Sequence, residues 1–80
     1  MRYKLFGWKR VDFTTQDGKN IKGYNFYFGE EITTGGNGAI VWKLFASPDK
    51  LAIAPEQMVV GNDYFVYFNR FGKIEQIQVA

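Results

Sequence analysis

Along residues 2–13 of this 80-residue chain, cations and flat rings interleave, with Arg2, Lys4, Phe6, Trp8 and Arg10 on alternate positions. Alternate residues of a β-strand share a face. Such a face sets charges that can hold phosphates beside rings that can stack on bases, a contact worth about 1–3 kcal/mol per base. A bulge at Gly7 would exchange the faces for half the strand, because one extra residue inverts a period of two. The same residue types recur at Lys22, Tyr24 and Tyr27, at Trp42 and Lys43, and at Arg70 and Phe71. Trp8, Tyr24, Tyr27, Trp42 and Phe71 are therefore the candidate stacking residues, and Arg10, Lys22, Lys43 and Arg70 the candidate phosphate ligands.

Bond-making chemistry has little to work with. The chain has no His and no Cys, which removes the commonest general base, the commonest transition-metal ligand and the thiol nucleophile together. Glu30 and Glu31 are adjacent, so in a strand they point to opposite faces, and no acidic set has metal-loop spacing. Gly35-Gly36-Asn37-Gly38 is followed by neither Lys-Ser/Thr nor a helix and is not a phosphate cradle. No enzymatic activity, metal or cofactor is expected. Neither a signal peptide nor an apolar run of about 18 residues is present, so the expected location is cytoplasmic with no membrane partner. The net charge is only +2, yet it is unevenly spread. Residues 1–27 carry six cations against two acids, whereas residues 28–80 carry four against six.

The elements that must position these side chains read as strands. Residues 2–15 mix aromatic and β-branched residues without a helical stripe, and Asp17-Gly18 is a hairpin signal before a second long strand over residues 20–32. In that second strand Lys22, Tyr24, Phe26 and Phe28 share one side and Ile21, Asn25 and Tyr27 the other. Phe26 and Phe28 have no polar handle and are the core choices. A third strand covers residues 39–46. Ser47-Pro48 could start a short helix that Pro55 ends. Residues 59–69 hold a turn at Gly61-Asn62-Asp63 and then a fourth strand, and residues 73–79 a fifth, the two joined at Asn69-Arg70-Phe71-Gly72. Three strands, a crossover with at most one short helix, then a hairpin is the layout of a single-domain, all-β, five-stranded OB-fold-like Greek-key barrel. An SH3-like barrel is the alternative.

Residues 22–28, Lys-Gly-Tyr-Asn-Phe-Tyr-Phe, resemble the RNP1 pattern of RRM domains and of cold-shock proteins, departing from it at Asn25 and Tyr27. The resemblance implies that Tyr24 and Phe26 lie against bases. Across its whole length the chain is similar to the small single-domain OB-fold single-stranded-DNA-binding proteins of phages and mobile genetic elements. The likeness lies in size, in the long first hairpin with an aromatic second strand, and in the closing Tyr-Phe-Asn-Arg-Phe-Gly-Lys-Ile-Glu over residues 67–75. It implies binding of single-stranded DNA with little sequence preference during replication or recombination, often as a homodimer. RNA is the variant within that class. A small β-barrel protein-interaction or structural module is the alternative function, since exposed aromatics also mark partner interfaces.

Overall fold

The computed structural model describes residues 2–80. Its elements are β1 (Arg2–Thr14), β2 (Asn20–Glu31), β3 (Ala39–Ala46), two 3-10 turns at Pro48–Lys50 and Pro55–Gln57, β4 (Asp63–Phe68) and β5 (Ile74–Val79). All five strands belong to one sheet in the order β3-β2-β1-β4-β5, and every neighbouring pair is antiparallel. Three consecutive strands followed by one that returns beside the first is the Greek-key order. β3 and β5 are the two ends of that sheet. They approach each other across a groove lined by Lys43, Leu44, Phe45, Gly72, Lys73 and Ile74, with no ladder between them. The sheet is thus the curled, OB-fold-like arrangement expected from the strand order, left open along one seam.

Local chemistry sets the ends of the elements. Gly18 takes φ +87° in the β1–β2 turn, a region open to glycine without steric cost, and Thr15 N–H donates to Lys19 O across it. The crossover, expected to hold at most one short helix, holds two 3-10 turns instead. Pro48 does occupy the first helical position, but Ser47 offers no side-chain cap and its hydroxyl donates instead to Asp49. Each proline starts only one tight turn. Between the turns, Leu51 forms a parallel bridge to Ile77 and Ala52 N–H donates to Ile77 O at 3.3 Å. Leu51 and Ala54 are thereby held in extended backbone, and the segment between the turns does not close into a helix.

Leu5, Phe26, Phe28, Val66 and Ile77 are fully buried, joined by Tyr3, Ala46, Met58, Tyr64 and Ile74. The two core choices in β2 hold: Phe26 and Phe28 stack with ring centroids 5.6 Å apart. The Tyr64 hydroxyl accepts a hydrogen bond from Val59 N–H at 2.8 Å, which satisfies a phenol that burial would otherwise penalise.

The register between β1 and β2 slips at Gly7: Leu5 pairs with Phe28, but Gly7 pairs with Tyr27. Phe6 is the extra residue. Before it, the odd residues Tyr3 and Leu5 face the core; after it, Trp8 pairs with the buried Phe26 and Arg10 with Tyr24. The even positions of β1 therefore do not form one face, and Arg2 and Lys4 lie on the side opposite Trp8 and Arg10.

Replacing Phe28 with Ala should cost about 3–5 kcal/mol in urea unfolding, whereas Phe6→Ala, at a half-exposed bulge, should cost about 0.5 kcal/mol. Equal losses would contradict the bulge. The β1–β2 turn also carries a pH signature. The Thr15 hydroxyl hydrogen-bonds Asp17 and holds its carboxyl below the usual carboxylate range. A carboxylate lowered in the folded state stabilises above its unfolded pKa and loses that contribution as pH falls through the folded value. The thermal midpoints of wild type and Asp17→Asn should accordingly differ at neutral pH and converge in acid.

Candidate nucleic-acid interface

The outward face of β1-β2-β3 is built by register. Gly7, Tyr27 and Lys43 form one row across the three strands, and Lys9, Asn25 and Phe45 form the next on the same face. Neighbouring strands lie about 4.8 Å apart, so two cations and two rings share one small patch, with Lys43 beside Tyr27 and Lys9 across Asn25 from Phe45. Lys9, Lys43 and Phe45 are exposed, while Asn25 and Tyr27 are half-buried.

Phe45 owes its position to Gly23. A Cβ on residue 23 would lie 2.5 Å from Phe45 Cζ and 2.6 Å from Ala46 O, distances no real side chain tolerates. The ring fills the space that a side chain there would need, and 43% of its surface stays open to solvent.

Charge on this face is unspent. Among the described residues the ion pairs are Arg2–Asp63 at 3.0 Å, Lys4–Glu31 and Arg10–Glu56 at 2.7 Å. None involves Lys9 or Lys43. The Glu31 carboxylate keeps the Lys4 ammonium charged above its ordinary range, so Lys4 is neutralised locally at the far end of the sheet.

The groove between β3 and β5 leads from this face to the β4–β5 tip. There Asn69 Oδ1 accepts hydrogen bonds from Phe71 N–H at 2.9 Å and Lys73 N–H at 3.1 Å. These bonds fix a tip that presents Phe71, 72% exposed, with the Arg70 guanidinium 4.9 Å from the centre of its ring.

Of the nine residues expected from sequence, Tyr27 and Lys43 share the outward face and Arg70 and Phe71 form the tip. The other five lie on the inward side. Trp8 and Tyr24 meet edge to face at 5.7 Å and pack against the core. Trp42 pairs in register with buried Phe28 and sits 5.2 Å from Tyr3, 39% exposed at the open end of the sheet. Arg10 is tied to Glu56, and Lys22 stands opposite Asp12. Arg10, Lys22 and Tyr24 line a shallow cleft of about 160 Å³ beneath Pro48. The resemblance-based placing of Phe26 against bases is corrected: its side chain is fully buried, because it fills the centre of the only core a chain this short can build.

Sequence reasoning overlooked Lys9 and Phe45. Phe45 was legible as the residue two past Lys43 on the same face of β3. Lys9 required the bulge.

Among the described residues no acidic cluster could hold a metal, and no helix is long and apolar enough to cross a membrane. The arrangement can bind through charge and stacking, and it brings no nucleophile and base together. No protein-family model, curated protein or solved structure matches the chain.

Gly23→Ala should destabilise the fold by more than about 1 kcal/mol, since both a ring and a carbonyl must shift. Adding Phe45→Ala should recover part of that loss, giving a coupling above about 0.5 kcal/mol in a double-mutant cycle. Strict additivity would show that the ring does not occupy the glycine's space.

Proposed function

We propose that this protein binds single-stranded DNA with little sequence preference through the outward face of β1-β2-β3 and the β4–β5 tip. The observation that carries the reading is the pair of in-register rows in which unpaired Lys9 and Lys43 alternate with Tyr27 and Phe45. Lysines neutralise phosphates and release counterions, while rings stack on any base because every base has a π-face. Phe71 extends the stacking surface at the tip, and Arg70 and Lys73 supply charge along the groove that leads to it. Such binding would serve to coat strands exposed during replication or recombination, as in the phage and mobile-element proteins the chain resembles.

Titration of labelled oligo-dT at several salt concentrations tests the reading. Affinity should fall steeply with salt, and Lys9→Ala and Lys43→Ala should each reduce the slope of log K against log salt by about 0.7. Tyr27→Ala, Phe45→Ala and Phe71→Ala should each cost about 1–3 kcal/mol of binding. Arg10→Ala should leave affinity unchanged. Tryptophan emission should also change little, because Trp8 and Trp42 are on the inward side; strong quenching would move the site to that side. Absence of binding at low salt would overturn the reading, and a preference for oligo-rU over oligo-dT would reassign it to RNA.

A further inference from the structure

The crossover starts beside Tyr24, because Ala46, the last residue of β3, pairs with it. On the same inward side Arg10 also pairs with Tyr24, and Asp12 pairs with Lys22. Arg10, Lys22, Tyr24 and Pro48 line the cleft of about 160 Å³. A second cleft, of about 270 Å³, adjoins it, because Tyr24 and Pro48 belong to both. Its remaining wall is apolar, with Leu51, Ile53 and Pro55, apart from Glu56. Leu51 and Ile53 pack back onto the core, which holds that wall in place.

The donors in the first cleft are underused. Asp12, which faces Lys22 in register, accepts instead from Asn20 Nδ2 at 3.1 Å. Among the described residues Lys22 has no ion pair and the Tyr24 hydroxyl no hydrogen bond. A guanidinium carries several N–H donors, and Arg10 commits Nη2 to Glu56 Oε1 at 2.7 Å. Both members of that pair are more exposed than buried. Such pairs add little to stability, so another anion can draw the guanidinium away at low cost. Glu56 also shows which anion Arg10 takes there, a carboxylate beside an apolar wall. A cationic head would find the carboxylates of Asp12 and Glu56 already engaged.

We propose that the two clefts together bind a small monocarboxylic acid with an apolar body. Its carboxylate lies among Arg10, Lys22 and the Tyr24 hydroxyl and replaces Glu56 on the guanidinium. Its apolar body passes Tyr24 and Pro48 to lie against Leu51 and Ile53. A concave, largely apolar site with a few convergent polar groups is the general form of a small-molecule site, and a carboxylate matches the planar fork of arginine. The site is on the side of the sheet opposite Lys9 and Lys43 and does not depend on nucleic-acid binding.

Octanoate is the probe, with octan-1-ol as the uncharged control of the same chain length. Trp8 meets Tyr24 edge to face and becomes the only indole once Trp42→Phe is introduced. In that variant octanoate should shift Trp8 emission saturably in the millimolar range, and octan-1-ol should bind about fivefold more weakly. Arg10→Ala and Lys22→Ala, at exposed positions, should each weaken octanoate binding about fivefold, with circular dichroism unchanged. Glu56→Gln should tighten it about twofold or more, because the guanidinium is released. The proposal is overturned by the absence of a saturable shift, by equal affinity for the alcohol, or by a Glu56→Gln variant that binds octanoate no better than its parent.

Discussion

Between Leu5 and Gly7, β1 carries one residue more than β2 can match, and the facing of every later residue in the strand follows from that surplus. Without the bulge, the series Tyr3, Leu5 would continue inward as Gly7, Lys9 and Val11, sending a charge into the core and Trp8 to solvent. Burying an unpaired ammonium is far more costly than a local break in a ladder. The slip therefore puts Trp8 against Phe26 and Tyr24 and returns Lys9 to water. Bulged strands bend and twist more strongly than regular ones. That bend lets the start of β1 pair with β4 while the rest of the strand pairs with β2.

Once β1 is curled, a small chain can build one core and little else. Its largest fully buried side chains are Phe26, Phe28, Leu5, Ile77 and Val66, drawn from four of the five strands. The other rings must lie at margins. Trp42 leans on Tyr3, Phe45 rests in the space left by Gly23, and Phe71 stands at the β4–β5 tip. An exposed ring held in place by its neighbours loses little freedom on meeting a flat partner, which makes it a better stacking surface than a free one.

The limits of the strands were legible because hairpin turns and prolines announce themselves locally: Asp17-Gly18, Asn69 to Gly72, Pro48 and Pro55 all lie at element ends. The choice of Phe26 and Phe28 as core was legible from their lack of any polar group. Facing in β1 was not. Parity is a cumulative property, so a single inserted residue reverses everything after it, and the residue type at Gly7 permits a bulge without requiring one. Trp8 and Arg10 were accordingly read onto one face with Arg2 and Lys4, from which the slip separates them. In β2 and β3, where no slip intervenes, the faces could be read directly. Even there Tyr24 and Trp42 went inward because a curled sheet has room on its concave side for rings that a flat one would expose. The crossover was legible only as holding at most one short helix, because propensity at Ser47-Pro48 is local, while the bridge from Leu51 to Ile77 is a tertiary contact that propensity cannot see.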